Sequence, residues 1–138
     1  MQKTFGIVLV VAIAIALLVL AWQRYRYSQE QWRVGGLYSF RDKKEFGILK
    51  VLVLDSDAVH VRIYQQKFAV RPATVDPNTL TLGKLGDENF SIGHLPLSRK
   101  SFSSWDPVFV SQQTVREEEL EGYRIWQRAQ GGVFGPTD

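Results

Sequence analysis

The chain has 138 residues, 45% hydrophobic and 22% charged, with a formal net charge of +3. No Cys occurs, which excludes a disulfide framework. The modest charge argues against a nucleic-acid surface, so no nucleic-acid partner is expected.

Residues Phe5 to Trp22 read FGIVLVVAIAIALLVLAW, eighteen positions without a charged side chain. As a helix this run spans about 27 Å, close to a bilayer core of roughly 30 Å. A buried core helix is excluded, because the remaining residues are too few and too polar to surround a helix that is apolar on every face. Trp22, Arg24, Tyr25 and Arg26 follow in the order expected at a membrane interface, with aromatic rings at the headgroups and arginines reaching past them. The run reads as a transmembrane helix over 5–22, placing the protein in an inner (plasma) membrane. A cleaved signal peptide ending at Ala21 is the alternative, with Lys3 as its positive region. The length of the run and the arginines after it favour the uncleaved anchor. Flanking charges differ by about one, a slight lean towards a cytoplasmic C-terminal domain.

Residues 23–34 read as a juxtamembrane linker, and 35–138 as one small α+β domain. Ten Lys/Arg against five Asp/Glu fall in 24–71, and six against nine in 72–138. The basic half adjoins the apolar run, but its charges are scattered, as on an ordinary solvated surface.

Gly36 to Phe40 is a predicted strand, followed by a charged loop, Arg41 to Glu45. Phe46 to Leu54 and Ala58 to Tyr64 form a predicted hairpin around Asp55-Ser56-Asp57. The first of these strands is apolar on nearly both faces and should be central. In the second, Val59, Val61 and Ile63 make the apolar face, and His60 is expected on the less apolar one. Pro72 and Pro77 break the pattern. Leu80 to Leu82 is a candidate short strand, and 83–93 a loop. Ser98 can cap a short helix running to Trp105, which Pro107 stops. Val108 to Val110 suits a last strand. Thr114 and Glu117 have the spacing of a capping box for a C-terminal helix, which Gly131-Gly132 ends. Strands first and helices late indicate an antiparallel sheet with a C-terminal helix, and a small SH3-like barrel is a compatible analogy.

Chemistry is weakly signalled. His60 and His94 are the two histidines, and their spacing matches no zinc motif, so no metal or cofactor is expected. His94 lies in a loop with Asp87, Ser91 and Ser98 nearby. Asp87, Ser91 and His94 form the candidate functional loop, because a Ser-His-Asp set can be drawn there. A nucleophile elbow is missing, so no catalytic residue is assigned. The simpler expectation is that His94 pins its loop by hydrogen bonding. No phosphate-binding glycine motif is present.

The stretches FGILKVLVLDSDAVHVRIY, VRPATVDPNTLTLG, IGHLPLS and EEELEGYRIWQRAQGGVF resemble a group of short bacterial proteins of unknown activity. The resemblance covers about residues 35–134. It implies one domain and a bacterial source, and carries no functional residue. The expected function is a single-pass, membrane-anchored, non-catalytic protein-binding module, with the bilayer and a protein as partners. A hydrolase using the His94 loop and a toxin-immunity type inhibitor are the alternatives.

Overall fold

The computed structural model describes residues 11–23, 32–89 and 91–136. The chain divides into two units after Trp32. In the first, residues 11–23 are helical (α1) and exposed at every position. Among the described residues no helix is long and apolar enough to cross a membrane. Residues 5–10 of the expected span, and Arg24, Tyr25 and Arg26 of the expected interface, lie outside the described residues.

The second unit is an α+β domain around a five-stranded antiparallel sheet. Its elements are β1 (Gly36–Asp42), β2 (Glu45–Leu54), β3 (Ala58–Phe68), β4 (Leu95–Ser98), α2 (Arg99–Ser104), β5 (Val108–Gln112) and α3 (Glu121–Arg128), in sheet order β4-β3-β2-β1-β5. The expected central strand is central: Ile48, Leu49, Val51 and Leu52 are all buried, so β2 is covered on both faces. The expected Arg41–Glu45 loop is only a tight turn at Lys43-Lys44, because β1 and β2 stay paired out to Asp42 and Glu45. Lys43 takes a positive φ of 55° there. The hairpin turn at 55–57 is found as expected, while β3 runs four residues beyond Tyr64. Three register shifts interrupt the ladders, at Leu37/Tyr38, Gly47/Leu49 and Val51/Val53. Such bulges bend and twist a strand. At Gly47 a Cβ would lie 2.5 Å from the Phe40 ring, so glycine admits that ring against β2.

Beyond β3 two expectations change. Leu80 to Leu82 forms no strand. A 3-10 turn, Pro77–Thr79, precedes it, with Asp76 accepting the Asn78 amide. Thr81 instead lends its carbonyl to the Gln65 amide. The fourth strand, β4, lies where only a helix start was expected. Leu97 and Pro96 pair with Val59 and His60, and a four-residue strand is too short to show a period. Ser98 then caps α2 by accepting the Ser101 amide, and α2 ends at Trp105 as its sequence requires. Phe102 of α2 is fully buried and meets the Tyr38 ring edge-on at 6.1 Å. Arg71 secures the turn after α2: its guanidinium donates to the Ser39 carbonyl and hydroxyl and to the Asp106 carbonyl, and pairs with the Asp106 carboxylate at 2.7 Å.

The C-terminal helix starts later than its sequence suggests. Thr114 is not its cap. A 3-10 turn, Glu117–Leu120, comes first, opened by the Arg116 amide donating to the Glu119 carboxylate, before α3 begins at Glu121. Thr114 fails as a cap because the chain does not turn there; its carbonyl receives the Lys50 ammonium instead. The residues after α3 return to the sheet, where Phe134 exchanges backbone hydrogen bonds with Pro96 and Ser98 along the outer edge of β4.

Truncating a fully buried aromatic leaves a cavity and costs about 3–5 kcal/mol. Phe102→Ala is expected to lower the urea-unfolding free energy by that amount, whereas Lys100→Ala on the exposed face of α2 should change it by less than about 0.5 kcal/mol.

Candidate functional site: a histidine array and a buried ion cluster

The three residues expected to share a functional loop do not form one site. Asp87 accepts the Lys84 amide at 2.7 Å, and the Ser91 amide donates to the Leu82 carbonyl. His94 turns to β3 instead. Its Nε2 lies 2.9 Å from Nδ1 of His60, and Nε2 of His60 lies 2.8 Å from Oδ2 of Asp55. His60, expected on the less apolar face, is fully buried, because α3 lies over that face. Tyr123 and Trp126 of α3 meet its ring edge-on at 4.8 and 4.5 Å. Gly122 makes this approach possible: a Cβ there would stand 2.5 Å from Cβ of His94.

The proton positions follow from valence. Asp55 as a carboxylate only accepts, so His60 donates from Nε2. A neutral His60 then accepts at Nδ1, and His94 donates from its Nε2. Burial pushes both imidazoles below their ordinary value. It outweighs the Asp55 carboxylate at His60, and with the neighbouring His60 it takes His94 down to about 4. Both rings are therefore neutral at pH 7, and the array is a directed chain of hydrogen bonds from the loop to the β2–β3 turn. Among the described residues no group of three His, Cys, Asp or Glu side chains could hold a metal ion.

The second cluster was invisible in the spacing. Glu119 in the 3-10 turn before α3 is only 2% exposed at its side chain, and its carboxylate faces β2 and β3. Lys50 of β2 reaches its Oε2 at 2.7 Å, Arg62 of β3 reaches Oε1 at 3.2 Å, and the Arg116 amide donates to Oε2 at 2.9 Å. Burial alone raises the Glu119 carboxyl, but these donors together hold it below its ordinary value. Of the glutamates at 117, 118, 119 and 121, only Glu119 enters the interior. Beside it opens a cavity of about 580 Å³, walled by the cluster together with Tyr64, Thr81 and Gln113. Burial and the Glu119 charge push the Tyr64 phenol up to about 12, so its hydroxyl keeps its proton.

No family model, curated protein or solved structure matches the chain.

Two measurements follow from this geometry. Imidazoles held below their unfolded value of about 6.5 make the unfolded chain the better proton acceptor in acid. Stability is thus full above about pH 6.5 and falls as pH drops towards the His94 value of about 4. Urea midpoints taken between pH 7.5 and 4.5 should show that fall, and His94→Asn should flatten it; an unchanged slope in the variant would remove His94 as its source. Glu119, with its lowered value, adds its own loss only below about 4.5. Separately, Lys50→Met leaves a buried carboxylate short of a partner and is expected to cost about 3–5 kcal/mol by the same assay.

Proposed function

We propose that this chain is a membrane-anchored, non-catalytic protein-binding module, tethered by residues 5–22 and docking an extended segment of a partner protein along β5. The observation that carries this reading is the contrast between the two edges of the sheet. The β4 edge is covered by the Phe134 bridge. Among the described residues nothing pairs with the outer edge of β5. That strand also presents Val108 and Phe109 at 45% and 42% exposure. Unpaired backbone flanked by apolar side chains is what strand addition requires: main-chain hydrogen bonds supply affinity and alternate side chains supply specificity.

The strand order and the three bulges support a small SH3-like barrel as the finer description of the domain. A meander from β1 to β4, with β5 returning beside β1 after a short helix, is compatible with such a roll. The tether is supported by the eighteen uncharged residues and by the continuous exposure of α1. The hydrolase reading has less support. His94 has its hydrogen bond to His60 rather than to a serine hydroxyl, and the far end of the array is the Asp55 carboxylate, which also accepts from the Tyr123 hydroxyl of α3.

A photo-crosslinking residue at position 108, introduced into the full chain in its native membrane, is expected to give one discrete protein adduct. The same residue at Leu85, which is 91% exposed and remote in sequence, should give none. Equal adducts from both positions, or none from 108, would end the β5 proposal. The anchor is checked independently: the full chain should stay with membranes through an alkaline carbonate wash, and its release would withdraw the tether.

A further inference from the structure

We infer that the cavity beside Glu119 is a binding site for a small hydroxylated monocarboxylate. It is separate from the β5 edge and does not depend on the reading given above.

The first argument is charge. Lys50, Arg62 and Glu119 have side chains only 6%, 18% and 2% exposed. This nearly dry set carries two cations and one carboxylate. The third cation, Arg116, is exposed and shared with Glu118 at 3.2 Å, so solvent and its partner screen it. One positive charge is therefore left over where water compensates poorly. A monoanion neutralises it; a dianion would reverse the sign.

The second argument is the donor inventory. Lys50 directs its ammonium to Glu119 and to the Thr114 carbonyl. Arg62 gives Nη1 to Glu119, while its Nε is buried with no hydrogen-bond partner. A buried N–H without an acceptor is costly, and the planar guanidinium fork matches a carboxylate through two parallel bonds. A carboxylate in the cavity beside Arg62 offsets the leftover charge, and it reaches the shielded Nε only when the guanidinium turns towards it. The Tyr64 hydroxyl, protonated and in the same wall, supplies a further donor.

The third argument is size and lining. A volume of about 580 Å³ is within the usual range for small-molecule sites, roughly 300–1,000 Å³. Thr81 and Gln113 add hydroxyl and amide groups to the wall. Those groups suit hydroxyls on the ligand's body, and Leu37, Leu80 and Leu82 in the same wall suit the faces of its carbon chain.

The test uses the full chain in detergent micelles, with gluconate as probe, sorbitol as its uncharged counterpart and inorganic phosphate as the competing oxyanion. Calorimetry should show saturable binding of gluconate and none of sorbitol, and the Arg62 Nε–H resonance should shift on titration. Tyr64→Phe, which removes one hydroxyl and keeps the ring, is expected to weaken gluconate about tenfold, and Arg62→Gln about a hundredfold. Should Arg62→Gln fail to fold, Tyr64→Phe and the resonance shift still decide the matter. Absence of saturable gluconate binding, tighter binding of phosphate than of gluconate, or full affinity in Tyr64→Phe together with a static Arg62 signal would each overturn the assignment.

Discussion

The carboxylate of Glu119 is the point on which the domain's C-terminal segment hangs. It is almost without solvent, and it is approached by Lys50 from the central strand, by Arg62 from the next strand and by the Arg116 amide from its own turn. Taking such a carboxylate out of water costs several kcal/mol, and only a full set of donors offsets that cost. The cluster therefore acts as a positional lock. A shift of the 3-10 turn by one residue would replace Glu119 with Glu118 or Leu120 and leave Lys50 facing the wrong geometry or no carboxylate. Because this turn feeds directly into α3, fixing Glu119 also fixes where α3 begins.

The histidine array is the other end of that fastening. Once α3 is placed, Tyr123 and Trp126 fall across His60, and Gly122 lets His94 come close. His60 is buried, His94 is half-buried, and both are neutral; their hydrogen bonds tie the 94 loop to β3 and the β2–β3 turn, and edge-on ring contacts hold α3 over His60. The Glu119 cluster works through charge and the array through neutrality. Acid weakens the array first, since imidazoles titrate in the unfolded chain well above the pH at which a lowered carboxyl loses its charge. Among the described residues the sheet has one edge covered, at β4, and one edge unpaired, at β5. The cavity stands on the ion-cluster side, so the proposed ligand site and the proposed docking edge are built from different elements.

Much of the framework was legible because it rests on local rules. The both-sided apolar pattern of β2, the Asp55–Asp57 turn, Ser98 as a cap and Pro107 as a stop all depend on neighbours a few residues away. The errors arose where a distant residue overrode a local signal. Thr114 and Glu117 have capping-box spacing, but Lys50 engages the Thr114 carbonyl and the turn opens instead where the Arg116 amide donates to Glu119. The grouping of Asp87, Ser91 and His94 rested on sequence nearness, which does not aim a side chain; His94 pairs with a ring 34 positions away.

The sequence by itself determined β1, β2, β3 and β5 as strands, where most of them turn, and that the first eighteen-residue apolar run differs in kind from everything after it. Alternation, capping residues and prolines act within a few bonds, so composition and order suffice for them. Only the tertiary structure decided which histidine neighbour, which of four glutamates and which of the basic residues would meet in the interior. Those choices are made by β2, β3 and the return of the C-terminal segment across the sheet, which bring Lys50 and Glu119 together over 69 positions. No spacing rule encodes such an encounter, because it depends on desolvation and on the partners that remain when water is excluded.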